Sequence, residues 1–233
     1  MGCISVQDLA HDPRVDQVVI ADLNLEQAKL VADTLQSPKI ELVKVDFQNM
    51  GAFVEQLKGS DACINATIRH TNLRVMEACL QAGVHYTDMG GLFFVTQEQL
   101  KYHERYAEAG LSAVLGLGSA PGIPNVQARY AADRLDQIEA IKIYDGIMPP
   151  ESDDPSFTYS VPTIVDELTL EPMVFRNGEF MPRPPLSEFE DYWFSAPLGT
   201  LPMHLSLHSE VATLPVSFAG KGVKECFFKI DCW

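Results

Sequence analysis

Three acids close short apolar runs: Asp22 after Val18-Val19-Ile20-Ala21, Asp46 after Ile40-Glu41-Leu42-Val43-Lys44-Val45, and Asp88 after His85-Tyr86-Thr87. Open α/β sheets bind ligands at the carboxyl ends of their strands, where an acidic side chain can accept both hydroxyls of an adenine ribose. Asp22 fits that task, and Asp46 has a similar position from which to approach the adenine. The plainer readings are a surface acid ending a strand and, for Asp46, a turn or N-cap residue within Asp46-Phe47-Gln48-Asn49. Leu23 and Asn24 supply no cation for a 2'-phosphate, so NAD is expected ahead of NADP. Asp61-Ala62-Cys63-Ile64-Asn65-Ala66-Thr67 ends in small polar residues that would let the chain approach a flat cofactor and hydrogen-bond to it. Arg69 and His70 follow, an arginine that could grip a carboxylate and a histidine that could titrate; a solvent-facing arginine and a capping histidine are the commoner roles.

In the second half, His204-Leu205-Ser206-Leu207-His208-Ser209-Glu210 alternates with period two, which places His204, Ser206, His208 and Glu210 on one strand face. His208 and Glu210 could transfer a proton or bind an amino group; an ordinary polar sheet face is the competing reading. His204 and His208 lack an evident third ligand, so no metal site is expected and a zinc hydrolase is disfavoured.

Ser112-Ala113-Val114-Leu115-Gly116-Leu117-Gly118-Ser119-Ala120-Pro121-Gly122, followed by a strand ending in Asp145, imitates a dinucleotide-binding fingerprint. Phosphate cradles work through backbone N–H groups, and Pro121 and Pro124 remove two of them. A hydrolase nucleophile elbow is excluded as well, because Leu117 stands where glycine must precede Ser119. The segment reads as a turn between domains.

The elements that must position these residues alternate. Strands are expected at 17–22, 40–45, 62–66, 84–88 and 112–116. Helices are expected from Asn24 to Leu35, 50–57, 71–82 stopped by Gly83, and a long one over 94–109 stopped by Gly110. Apolar strands separated by helices imply a doubly wound parallel sheet covered on both faces. Beyond about residue 140 prolines cluster, and strand-like runs at 138–144, 203–213 and 223–230 indicate an α+β domain of mostly antiparallel strands.

Composition narrows the classes. The 233 residues are 46% hydrophobic, enough for a substantial core. With 17 basic against 32 acidic residues the formal charge is -15, which argues against nucleic acid or an anionic membrane as partner. Cys3, Cys63, Cys79, Cys226 and Cys232 show neither disulfide nor metal spacing, and no signal peptide or membrane span is evident, so a cytoplasmic location is expected.

The ordered series VVIADLNLEQA, VDFQN, DACINAT, HTNLRVMEACLQAGVHYTDMGG, GLGSAPGIPNVQA, YSVPTIVDEL and LHSEVATLP resembles the saccharopine dehydrogenase family, including its carboxynorspermidine and lysine-oxidising relatives. The resemblance covers nearly the whole chain. It implies a Rossmann-like NAD(P)-binding domain over residues 1–122 and an α+β substrate-binding and dimerisation domain over 123–233. The implied chemistry is nicotinamide-dependent hydride transfer at a carbon bearing nitrogen in a small amino-acid substrate, with NAD or NADP as cofactor and a homodimer as the assembly. By position, Gly2, Asp22, Asp46, Phe47, Asn65, Ala66 and Thr67 would hold the cofactor. Gly90, Gly91, Asn125, Thr163 and Glu167 would face substrate, and Asp88, His208 and Glu210 would form the catalytic set.

Family members open with a strand and a Gly-x-Gly-x-x-Gly loop, whereas Met1-Gly2 aligns with the end of that loop. The first strand of the doubly wound sheet is therefore expected to be missing, with two rows of backbone hydrogen bonds. FFKIDCW likewise stops on a strand where the family continues. The chain thus reads as a piece of such an enzyme, with a non-catalytic remnant keeping the dimerisation domain as the alternative.

Overall fold

The computed structural model describes residues 2–148 and 159–231. Pro149, Pro150, Pro155 and Cys232 lie outside them. The chain divides into two compact units. One comprises Met1–Thr67, Thr71–Tyr86 and Glu104–Ala113; the other comprises Ile68–His70, Thr87–His103 and Val114–Trp233.

The elements of the first half run α1 (Gly2–His11), β1 (Val18–Asp22), α2 (Leu25–Leu35), β2 (Ile40–Lys44), α3 (Met50–Leu57), β3 (Ala62–Asn65), α4 (Asn72–Ala82), β4 (His85–Asp88), α5 (Leu92–Leu100), α6 (His103–Glu108) and β5 (Ala113–Val114). The caps follow the sequence. The side chain of Asn24 accepts from the N–H of Gln27 at 3.3 Å, and that of Asn49 from Ala52 at 3.1 Å, each satisfying an otherwise orphaned helix donor. Gly83 ends α4 at φ 76, where a side chain would be strained.

β1 and β2 pair in parallel from Val18 opposite Ile40 to Asp22 opposite Lys44. A second sheet has the order β3-β4-β5. No ladder joins β1 to β3, so the described strands of this half form two sheets, in keeping with the two rows of backbone hydrogen bonds expected to be missing. The expected long helix is likewise two helices: Lys101 and Tyr102 donate to Glu98 and Gln99 three residues back, a tightening that turns the chain off the α5 axis. In the first unit Val45, Phe53, Val75, Met76, Cys79, Val84 and Tyr106 are buried, and the Tyr106 hydroxyl donates to the Met76 carbonyl at 2.7 Å.

The second half continues through α7 (Ile123–Ala132), β6 (Ala140–Asp145), α8 (Val161–Thr169), β7 (Met173–Arg176), β8 (Glu179–Pro182), β9 (Glu190–Trp193), β10 (Thr200–Leu205), α9 (Glu210–Ser217) and β11 (Glu225–Asp231). Its sheet follows β8-β7-β11-β10-β9, with β6 pairing to β11. Four of the pairings are antiparallel and β6 with β11 is parallel, in keeping with the expected α+β texture. Alternate residues of β11 serve two cores. Cys226, Phe228 and Ile230 pack with Phe93, Leu207, Val211 and Leu214, whereas Phe227 packs with Val174 and Leu205.

The expected strand over 203–213 ends at Leu205, and α9 begins at Glu210. The alternation misleads because residues 205–212 are buried without exception, so its polar members have no solvent face to occupy. Val211, Ala212, Leu214 and Pro215 then bury one side of the helix. The 112–116 strand is also shorter than expected, because Gly116 turns to φ 68.

At the entrance to α7, Gly122 has φ 132, and a Cβ there would lie 2.7 Å from the Gly118 nitrogen and 3.0 Å from the Gly116 oxygen. Both the backbone conformation and the space demand glycine. Gly122→Ala is therefore expected to destabilise the protein by about 3 kcal/mol in urea unfolding; a change under about 0.5 kcal/mol, typical of neutral surface sites, would contradict this geometry.

Candidate functional site

In the first unit, Asp22 is exposed at the carboxyl end of β1. Its Oδ1 accepts from the N–H of Asn24 at 2.7 Å, and Oδ2 has no hydrogen bond among the described residues. Asp46 repeats the device after β2, accepting from the N–H of Gln48 at 2.8 Å, so its turn role is realised. Phe47 packs edge-on against Phe53, ring centroids 5.0 Å apart. These residues form an acid-lined rim on the β1–β2 ladder.

Asn65 is buried at the end of β3 and its amide is committed. Nδ2 donates to Asn72 at 2.9 Å, and Oδ1 accepts from both the N–H and the hydroxyl of Thr67, the latter at 2.7 Å. Asn65 thus shapes the turn through Ala66 and Thr67 rather than presenting its own amide. A Cβ on Gly2 would touch the Ala66 Cβ at 3.4 Å, which places the start of α1 beside this turn.

In the second unit, Asp88 is buried and its acceptors are occupied. Oδ1 takes the N–H groups of Gly90 at 2.9 Å and Gly116 at 2.8 Å, Oδ2 takes the side-chain amide of Gln99 at 2.6 Å, and the carbonyl takes the N–H of Leu117 at 2.8 Å. Pro121 fills the space that glycines leave: a Cβ on Gly90 or Gly116 would fall 2.7 Å or 2.8 Å from its Cγ. A Cβ on Gly91 would lie 2.7 Å from the Gln99 side-chain oxygen and 3.0 Å from Val95, so a larger residue would displace these side chains. Two further loop amides are used, Gly118 on the Pro121 carbonyl and Gly122 on Asn125 Oδ1. With the glycine amides of the segment so engaged and Pro121 lacking an N–H, it does not present the glycine amides that a phosphate cradle uses. Nδ2 of Asn125 donates to Thr213 at 3.3 Å.

A second buried polar group surrounds His208. Its Nδ1 bonds Oε2 of Glu210, its Nε2 lies 3.7 Å from Oε1 of Glu167, and its ring stacks on Phe228 with centroids 3.7 Å apart and planes 5° apart. The Tyr159 hydroxyl donates to Oε2 of Glu167. Burial alone would lower the proton affinity of His208, but Glu210, then Glu167 and Asp145, raise it above the ordinary histidine value. Burial likewise pushes Glu167, Asp145 and Asp231 up, and pushes the Cys226 thiol up to about 12. The arrangement can hold and release a proton. His208 and Glu210 do meet, although through a loop and a helix start instead of a shared strand face. Glu210 is fully buried, with one carboxylate oxygen on His208 Nδ1. Thr163 is half-buried on α8 with no polar partner among the described residues, whereas Arg69 is spent on Asp166 at 2.5 Å and 3.0 Å. Sequence reasoning missed Tyr159, Gln99, Asp145 and Asp166 as partners. Asp166 and Glu167 adjoin on α8, but nothing in the sequence says which cation each meets.

A parallel ladder with acid-tipped strands, followed by a mixed sheet enclosing an acid–imidazole cluster, defines a nucleotide-binding type of α/β unit joined to an α+β unit. Residues 1–114 match the family model of the saccharopine dehydrogenase NADP binding domain. The carboxyaminopropylagmatine dehydrogenase of Synechocystis sp. is 25% identical over 221 residues, covering 91% of this chain and 54% of that protein. Two solved structures share the fold. Apo saccharopine dehydrogenase (L-Glu forming) from Saccharomyces cerevisiae has TM-score 0.73 at 16% identity, over 98% of this chain and 52% of that one. Homospermidine synthase from Legionella pneumophila, in complex with NAD, has TM-score 0.68 at 16% identity, over 99% and 63%. The chain spans about half the length of the relative and of the first structure. The Rossmann-like class and the family resemblance read from the sequence are thus borne out, and the first half is of nicotinamide-cofactor type. Among the described residues no helix is long and apolar enough to cross a membrane.

The His208 cluster has a pH signature. His208, Glu167, Asp145 and Asp231 all bind protons more tightly when folded. The stability tied to them is complete below their unfolded values and is lost as pH rises through the folded ones. Glu188 and Glu190 are shifted down by Arg176 and Lys229, so their contribution changes only at acid pH. The urea midpoint is expected to fall as pH rises above the ordinary histidine value of 6.5; a constant or rising midpoint would contradict the shifts.

Proposed function

We propose that this chain serves nicotinamide-dependent hydride transfer at the carbon of a C–N bond in a small amino-acid substrate. The observation that carries the reading is Asp22, which ends a parallel strand with one carboxylate oxygen held by Asn24 and the other open. The family match over residues 1–114 and the fold of the second unit support it. Asp22 would take the ribose hydroxyls, Asp46 and Phe47 would border the adenine, and Ala66 and Thr67 would lie along the nicotinamide. Gly2, beside Ala66, would bring the start of α1 toward the pyrophosphate. The bound nicotinamide supplies or accepts the hydride. His208 gives or takes the proton at the substrate nitrogen, and Asp88 keeps the Gly90–Gly91 and Gly116–Gly122 turns in place without reacting. Asn125 and Thr163 would border the substrate. The family model is named for NADP, yet the absence of a cation at Leu23 or Asn24 favours NAD.

The free cysteines Cys3, Cys63, Cys79 and Cys226 support a reducing, cytoplasmic setting. The exposed Phe189 and Trp193 on and beside edge strand β9 support self-association as a homodimer. The separation of the β1–β2 and β3–β4–β5 ladders favours a second reading, a non-catalytic chain retaining the association role of its second domain.

Calorimetric titration with NADH and NADPH separates the two. Binding by the wild type that Asp22→Ala weakens by about 1 to 2 kcal/mol, the value of a hydrogen bond to a charged group, is expected. Equal affinity in both proteins would remove Asp22 from the site, and no binding by folded wild type would favour the second reading.

A further inference from the structure

His208 is held unequally at its two nitrogens. Nδ1 is engaged by Glu210 Oε2, whereas Nε2 stands 3.7 Å from Glu167 Oε1, beyond hydrogen-bond reach but well within charge range. The ring cannot turn away, because it lies flat on Phe228 at 3.7 Å. Glu167 is fixed as well: Tyr159 donates to its other carboxylate oxygen, and the Ser206 hydroxyl donates to its backbone carbonyl at 3.1 Å. Its charge therefore acts on Nε2 without taking the Nε2 proton.

We propose that Glu167 is a positioning residue whose fixed carboxylate, instead of touching substrate, keeps His208 charged, while Glu210 at Nδ1 leaves Nε2 as the nitrogen that releases the proton. This rests on the reading of His208 as the proton-carrying group. An imidazole whose Nδ1–H is bonded to a buried carboxylate keeps that proton, so the neutral ring is the Nδ1–H tautomer and deprotonation occurs at Nε2. The Nε2 lone pair then faces the Glu167 charge, which makes that neutral form costly and raises the ring's proton affinity. The groups acting on the ring come from every surrounding element. They are Glu210 from α9, Glu167 from α8 with Tyr159 bonded to it, and Asp145 from β6; on β11, Asp231 acts on Asp145, and Cys226 is itself acted on by Glu210. Of these, Glu167 is the carboxylate within 4 Å of Nε2.

The test is an NMR pH titration of the ¹⁵N-labelled imidazoles, with His208 identified by the signal lost in His208→Gln. Neither cofactor nor substrate is needed, so a failure of the oxidoreductase reading, detected by calorimetry, stays separate from a failure here. In wild type, Nε2 should lose its proton while Nδ1 keeps its own. Glu167→Gln preserves the shape and removes the charge, and should lower the His208 proton affinity about tenfold, one unit in midpoint. Glu167→Asp keeps the charge but withdraws it by one methylene, and should fall between wild type and Glu167→Gln; it carries the test alone if the glutamine variant does not fold. An unchanged midpoint in the variants, or loss of the Nδ1 proton first, overturns the proposal.

Discussion

The Asp88 carboxylate ties three stretches of the second unit together. By accepting the N–H groups of Gly90 and Gly116 and the side-chain amide of Gln99, it joins the end of β4, the turn into α5 and the turn that leads to α7. Each of these donors would otherwise be buried without an acceptor, at a cost of about 1 to 3 kcal/mol apiece. The same constraint explains the glycines: the turns close only if Pro121 nests where side chains at Gly90 and Gly116 would stand. A motif that could pass for a phosphate cradle is instead filled by its own chain.

A second buried polar group stands apart from this one in sequence. His208 is surrounded by Glu210, Glu167 and Asp145, an excess of acid over base inside an apolar core built on Phe228, Leu207 and Val211. Such a cluster stays folded only when protons are shared among its members, which explains why histidine and carboxylates shift in the same direction. The restraint that makes it costly also suits it to proton transfer, because the donor is oriented before a substrate arrives.

Local signals made much of this legible in the sequence. Asn24 and Gly83 mark helix ends with their own side chain or its absence, and the apolar runs before Asp22 and Asp46 predict the parallel ladder because strand burial is written in consecutive residues. What misled was a local pattern overruled by tertiary burial. The alternation from His204 to Glu210 reads as a strand with a polar face, yet residues 205–212 are interior, and α9 takes over where Val211 and Leu214 can share one side. Partners far apart in sequence were not legible, as with Arg69 and Asp166, because nothing local distinguishes a paired arginine from one awaiting a ligand. Asp88 shows the same limit: its place at a strand end is plain from sequence, whereas its commitment to backbone donors required coordinates.

On the proposed reading labour is divided, the first unit holding a nicotinamide cofactor through its strand ends and the second supplying the proton. Hydrogen–deuterium exchange measured by mass spectrometry, with and without NADH or NADPH, tests it most directly. The account predicts slowed exchange in peptides covering residues 18–24, 46–49 and 62–67. Slowing confined to peptides from residues 200–231, or no slowing anywhere in the folded protein, would contradict it.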